Sequence, residues 1–139
     1  MDSMSMNTNK DSNFAHPDRA KQLLSFEGLV YERNARPTDI DMAMEIGDRE
    51  YLFTEVKIDG KEVPQGQKLF LSRHLSIIHQ SGRKVLGIIA THNIHDCHQA
   101  VLVRECRVVS VWYEGQWHNV ASSHSVESVI ERWRRVNKK

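Results

Sequence analysis

The sequence predicts an α/β domain in which helices flank a central mixed sheet. Three observations support this fold class. Helix-like and strand-like segments follow the order α, β, β, α, β, β, with a further strand left open, and then α. The run 84–92 is almost continuously apolar, as in a strand buried on both faces. The C-terminal segment has the apolar stripe of an amphipathic helix. A sheet with packed helices suits that order.

The first half of the chain supplies one helix and a hairpin. Pro17 suits a first helical turn, and Gly28 ends or bends the helix that follows it. Residues 40–46 and 50–58 are strand-like, and the Gly47-Asp48-Arg49 segment between them is a hairpin signal.

The second half adds a long helix, further strands and a last helix. Apolar residues cluster at helical spacing within 63–82, and Gly82 is a good stop. Beyond the strand at 84–92, residues 100–120 alternate and break at a turn, which predicts one or two more strands in a hairpin. Ser125 is the expected N-cap of the last helix.

Composition narrows the class of protein. The chain has 139 residues, 40% hydrophobic and 27% charged, as in ordinary globular proteins. A net charge of +1 excludes a polycation, so nucleic-acid affinity would need locally clustered charge. Two cysteines are too few for a disulfide framework and favour the cytoplasm. No apolar run reaches the ~20 residues needed to cross a bilayer, so no membrane partner is expected. Residues 1–13 are predicted to be a flexible tail, and 14–139 a single domain.

Glu55 and Lys57 are unusual residues for an otherwise apolar strand. They flank Val56, so their side chains leave the same face of an extended chain. A two-residue turn at Gly47-Asp48 would place Asp41 opposite Thr54, whereas a three-residue turn would place it opposite Glu55. Both loop lengths occur in hairpins.

In the three-residue register, two carboxylates oppose one another beside a lysine. Directly opposed like charges destabilise a sheet unless positive charge lies between them. Two carboxylates, a main-chain carbonyl and waters form an oxygen shell suited to Mg²⁺ or Mn²⁺. We therefore expect a metal site here. An acidic-x-lysine triplet on its own is more often a solvated ion pair.

The segment "PTDID", a hairpin and then "TEVK" together resemble the PD-(D/E)XK nuclease superfamily, whose fold is restriction-endonuclease-like. Asp41 and the Glu55-Val56-Lys57 triplet match its signature at about fourteen residues' separation. "QGQKLFLSRHL" matches branches that place a glutamine at the start of the next helix, with Gln67 preferred and Gln65 in reserve. The resemblance covers roughly residues 26–92, and the wider stretch is most similar to small standalone phage or prophage members.

The resemblance implies a role for each residue. Asp41, Glu55 and the Val56 carbonyl would hold Mg²⁺ or Mn²⁺. Lys57 would orient the attacking water and stabilise charge on the phosphate, and Gln67 would help to position the water or the backbone. The implied reaction is hydrolysis of phosphodiester bonds, in DNA more than in RNA, to 5′-phosphate and 3′-hydroxyl ends.

Several alternatives remain open at the level of sequence. Asp39 has the same strand parity as Asp41 and could replace it as a ligand, and Glu27 or Glu32 could serve a second metal. Whether the protein forms a homodimer is also open. The competing function classes are a binding module that keeps the nuclease fold with little or no cleavage, and a structural protein in which Glu55 and Lys57 are surface charges.

Two other clusters have ordinary interpretations. The histidines of "HNIHDCH" (92–98) lack the paired spacing of a zinc site, which favours an exposed loop. The basic residues of "RWRRVNKK" (132–139) suit a helix C-terminus, with phosphate contact as the alternative.

Overall fold

The structure is a computed structural model that describes residues 22, 24–121 and 123–138. The chain divides into two compact units at Pro37/Thr38. The described part of the first unit contains one 3-10 turn, Glu32–Asn34, closed by a bridge between Tyr31 and Ala35. The predicted tail lies outside the described residues, as does most of the predicted first helix, and residues 24–30 are not helical.

The second unit is built on a mixed five-stranded sheet. Its strands lie side by side in chain order: β1 (Met42–Ile46), β2 (Glu50–Ile58), β3 (Lys84–His92), β4 (Arg107–Tyr113) and β5 (Gln116–Asn119). Only β2 and β3 are parallel; the other neighbours are antiparallel. A parallel pair needs a crossover connection, and the long helix between these two strands provides it. The predicted mixed sheet is thereby confirmed.

Helices α1 (Gln65–Gln80) and α2 (Val126–Asn137) cover opposite faces of this sheet. Leu71 and Leu75 of α1 pack with Val85 of β3. On the other face, Val126 and Trp133 of α2 pack with the β3 side chains that alternate with it, Leu86, Ile88 and Ala90. The Ser125 side chain accepts a hydrogen bond from the Ser128 N–H, so the predicted N-cap is confirmed. No helix in the described part of the chain is long and apolar enough to cross a membrane.

The predicted strands agree closely with the structure where apolar residues are continuous. Strands 50–58 and 84–92 have the predicted bounds, and residues 100–120 contain two strands preceded by a short 3-10 turn. The first strand is shorter than predicted because it begins at Met42. Asp41 lies outside this strand. Its side chain, and not a main-chain carbonyl, accepts the hydrogen bond from the Val56 N–H of β2.

The hairpin between β1 and β2 has the three-residue loop. Ile46 pairs with Glu50, so Gly47, Asp48 and Arg49 form the connection. Gly47 and Asp48 both have a positive φ, 59° and 56°, which glycine and aspartate tolerate better than most residues. Arg83 holds the loop through an ion pair of 2.9 Å with Asp48. Continuing this register places Asp41 opposite Glu55.

A β-bulge in β4 changes which face its side chains meet. The register with β3 shifts between Ile89 and Ala90, so that Val108 pairs with Ala90 while Ser110 pairs with Ile89. Val108 therefore packs on the α2 side, although Trp112, four residues later, packs on the α1 side. An extra residue in a strand has this effect.

Gly87 lies directly beneath Leu75 of α1, and its replacement by alanine is expected to be destabilising. A Cβ at this position would lie 2.6 Å from Leu75 Cδ1 and 3.0 Å from Trp112 Cβ, and both side chains are buried. Overpacking of this kind costs about 1–3 kcal/mol. Chemical denaturation would measure the loss in the free energy of unfolding. Gly66→Ala is the matched control, because nothing lies within 4 Å of a Cβ there; equal stability of the two variants would contradict the prediction.

Candidate metal centre

Asp41 joins the end of β1 to the middle of β2. Its Oδ2 accepts a hydrogen bond of 2.7 Å from the Val56 N–H. Its own N–H donates to Glu55 Oε1 at 3.3 Å. These reciprocal bonds hold the two acidic residues at one end of the hairpin, as the three-residue loop predicts.

Glu55 is the most deeply buried acidic residue of the site, with only 1% of its surface exposed. Besides the Asp41 N–H, it accepts a hydrogen bond of 2.9 Å at Oε2 from the Gln67 side-chain amide. Lys57 Nζ lies 3.9 Å from the same oxygen, and its side chain is 28% exposed. One ammonium group at this distance leaves two carboxylates incompletely neutralised.

Gln67 reaches the site from the first turn of α1. Besides its bond to Glu55, its amide lies 3.4 Å from the Asp39 main-chain carbonyl. The crossover from β2 therefore brings a third segment of the chain to the two carboxylates. Gln65, the reserve choice, starts the same helix and has no such bond among the described residues.

The structure thus brings together the side chains of Asp41, Glu55, Lys57 and Gln67. Asp39 contributes its main-chain carbonyl, a contact that side-chain parity does not predict. Glu27 and Glu32 are exposed residues of the first unit, and their role stays a prediction.

The Val56 carbonyl points toward the same end of β1. In a strand, the N–H and C=O of one residue point to the same side. Because the Val56 N–H meets Asp41, its carbonyl also leaves β2 on the β1 side, just past the point where β1 begins at Met42. It is therefore placed near the two carboxylates, where the resemblance expects a ligand.

Burial and charge both disfavour ionisation of Glu55. Burial raises the pKa of Glu55 to about 6, with the neighbouring Asp41 charge as the second cause. The Asp41 N–H and Lys57 oppose this rise in pKa. At neutral pH the ionised Glu55 therefore carries an energetic cost that a cation would relieve.

The donor set fits Mg²⁺ or Mn²⁺. Carboxylate and carbonyl oxygens are the hard ligands these ions prefer, and Mg²⁺ is often bound by only one or two carboxylates with waters completing its shell. Among the described residues, no three His, Cys, Asp or Glu side chains cluster so as to hold a metal. This applies to the 92–98 loop as well, where His95 Nε2 lies 3.0 Å from Asp59 Oδ1.

No protein-family model, no curated protein and no solved structure matches the chain.

The metal-induced stabilisation of the fold should depend on pH. Glu55 has a folded pKa of about 6 against an ordinary 4.5, so its contribution favours folding below pH 4.5 and is lost as the pH rises through 6. Mn²⁺ binds the ionised form, so the increase in Tm that it produces should shrink as the pH falls below 6. Thermal unfolding with and without Mn²⁺, between about pH 5 and pH 8, measures this. A metal-induced shift independent of pH over that range would contradict the assignment of Glu55 as a ligand.

Proposed function

We propose that this protein is a Mg²⁺- or Mn²⁺-dependent nuclease of the PD-(D/E)XK superfamily that hydrolyses phosphodiester bonds of DNA. The observation that carries the proposal is the convergence on Glu55 of Asp41, Lys57 and Gln67, which come from three segments of the chain. A structural hairpin has no need of two adjoining carboxylates, one of them buried, because an uncompensated buried charge is costly.

The metal, when bound, would polarise the scissile phosphate and lower the pKa of a coordinated water. Asp41 and Glu55 would hold it, and the Gln67 amide fixes the orientation of the Glu55 carboxylate. The Lys57 ammonium group orients the attacking water and offsets the negative charge that develops on the phosphate. The water oxygen would bond to phosphorus as the bond to the 3′ oxygen breaks. The water would give up a proton to solvent and the 3′ oxygen would take one up, which leaves a 5′-phosphate and a 3′-hydroxyl.

The architecture of the second unit supports a restriction-endonuclease-like fold. Its acidic hairpin, the helix that follows β2 and the parallel strand β3 occur in the order that the resemblance implies. Fold analogy does not specify the substrate, so the polymer rests on the resemblance and DNA is the first choice. Cys97 and Cys106 are both free thiols, in keeping with the predicted cytoplasmic location.

The experiment that tests the function is cleavage of end-labelled DNA by the full chain. Single-stranded, duplex and branched DNA, with RNA of the same sequence, are incubated with Mg²⁺, Mn²⁺ or EDTA. We expect cleavage only with the divalent ions, and products that carry a 5′-phosphate and can be religated. Labels at either end distinguish stepwise removal of nucleotides from internal cuts.

The alternative outcome also has a specific signature. DNA binding and Mn²⁺-induced stabilisation without any cleavage would replace the nuclease with a binding module of the same fold. Absence of both cleavage and metal-induced stabilisation would refute the metal site itself.

A further inference from the structure

A row of directly paired residues crosses the sheet from the metal centre. Glu55 pairs with Ile89, Ile89 with Ser110, and Ser110 with Asn119. Paired residues share a face, so all four lie on the side covered by α1. With strands ~4.8 Å apart, the row extends ~14 Å from Glu55 to the far edge of the sheet.

A groove of about 480 Å³ lies along this row. Its floor includes Ile89, Ser110 and Asn119, and its wall includes Lys61, Gln65 and Lys68. It therefore adjoins the metal centre, because Ile89 is the immediate neighbour of Glu55 and Gln65 lies two residues before Gln67.

The wall of the groove is rich in groups that attract anions. The 16-residue helix α1 begins there, its N-cap is Pro64, and no side chain caps its first turn. The N–H groups of such a helix end attract negative charge. Lys61 and Lys68 add two cations, while Glu62 is the acidic residue among those that line the groove.

Ser110 adds a hydrogen-bonding group to the floor of the groove. It lies in the floor of the groove and is only 6% exposed. Its hydroxyl makes no hydrogen bond with any residue in the described part of the chain. The hydroxyl oxygen is not one of the buried unpaired side-chain atoms of the described residues, so it is open to the groove and available to a bound ligand.

We propose that this groove holds a single-stranded segment of the nucleic-acid substrate, next to the scissile phosphate at Glu55. The lysines and the helix N-terminus contact its phosphates, and Ser110 and Asn119 bond to its sugars or bases. This inference rests on the proposed nuclease site for one end of the path, since the metal centre fixes where the scissile phosphate lies.

The size of the groove sets the substrate class. Clefts that hold one drug-sized molecule measure roughly 300–1,000 Å³, so 480 Å³ accommodates about one or two nucleotides. Nucleotides seated inside a space of this size would not also be stacked and paired in a continuous duplex. The substrate is therefore DNA that is unpaired at the cleavage site, such as an overhang, a flap or a branch point.

Binding measurements test the groove apart from cleavage. Fluorescence anisotropy is recorded with a fluorescein-labelled oligo(dT) of about 10 nucleotides, and with a blunt duplex of equal length, in the presence of Ca²⁺. The test variant is Lys61→Ala/Lys68→Ala, and Ser110→Ala is the conservative second variant. The matched control, Arg49→Ala/Lys84→Ala, removes two exposed cations remote from the groove: Arg49 lies in the loop between β1 and β2, and Lys84 begins β3 at its opposite end.

We expect the Lys61/Lys68 variant to bind oligo(dT) at least ~10-fold more weakly, with a salt dependence reduced by about two phosphate contacts. The control pair should stay within about twofold of the wild type, and Ser110→Ala should weaken binding without altering the salt slope. Unchanged Tm values confirm that the variants are folded.

Two results would overturn the inference. Equal losses in the Lys61/Lys68 variant and in the control pair would show that the groove is not the path. Equal affinity of the wild type for the duplex and for oligo(dT) would refute the substrate class. Metal-dependent cleavage with either result leaves the nuclease proposal standing. Specific oligo(dT) binding without cleavage would instead refute the nuclease and keep the groove.

Discussion

Replacing Lys57 by alanine is expected to lower the rate of metal-dependent DNA cleavage by about 10³-fold, the effect typical of removing one preorganised group that stabilises the transition state. Lys57 shares the α1 face of β2 with Glu55, and its Nζ lies 3.9 Å from Glu55 Oε2. No carboxylate is lost in this variant, so Mn²⁺ should still raise the Tm. Initial rates on end-labelled DNA and thermal unfolding of the same preparation measure the two effects.

Lys84→Ala is the matched control for this variant. Lys84 is an exposed lysine at the start of β3, paired with Glu50 at the opposite end of β2 from the metal centre. Its removal lowers the charge equally and should leave the rate within about twofold, as for a surface substitution remote from the site. Equal rates for Lys57→Ala and the wild type would remove Lys57 from the chemistry.

The sequence predicts the hairpin and its acidic end because the relevant signals are local. Side-chain parity along β2 places Glu55 and Lys57 on one face, and a glycine-containing loop makes the three-residue register available. Which of the two loop lengths forms depends on contacts made elsewhere. The ion pair between Arg83 and Asp48, 35 residues apart, is one such contact that no local pattern shows.

The groove beyond the metal centre could not be predicted in this way. Ser110 reaches the α1 face only because the bulge shifts the register between β3 and β4. Regular alternation from Val108, two residues earlier, would place the Ser110 side chain on the α2 face. One sequence signal points to the groove: Ser110 is a polar residue within an apolar strand, and Asn119 stands at the end of the following strand. That pairing is evident only once the turn between β4 and β5 is known.

Burial of Glu55 is a cost that the fold bears at its proposed site. Its pKa of about 6, against 4.5 for a free carboxyl, corresponds to a destabilisation of about 2 kcal/mol when the group is ionised at neutral pH. The hydrogen bonds from the Asp41 N–H and the Gln67 amide limit this cost without removing it. Stability given up at one buried charge is a common property of functional sites.

The Glu55→Gln variant distinguishes the cost of the buried charge from the effect of metal binding. We expect the variant to lose detectable cleavage and all Mn²⁺-induced increase in Tm, because an amide is a much poorer ligand for a hard cation than a carboxylate. In EDTA at neutral pH, however, its free energy of unfolding should equal or exceed that of the wild type by about 1 kcal/mol. Removing the buried charge gains about 2 kcal/mol of stability. This outweighs the loss of about 1 kcal/mol at the one hydrogen-bond donor that then faces the side-chain NH₂ of the glutamine.

Urea denaturation in EDTA and in Mn²⁺ measures both effects on one protein, and Glu131→Gln, an exposed glutamate of α2, is the control that should change neither. A variant that is strongly destabilised in EDTA would mean that Glu55 holds the fold together and that its burial is structural. A variant that is stable in EDTA and still stabilised by Mn²⁺ would place the metal elsewhere. A buried metal ligand predicts a third result, in which the variant stays folded but is no longer stabilised by Mn²⁺. This is expected because the charge of Glu55 is unfavourable until the cation is present.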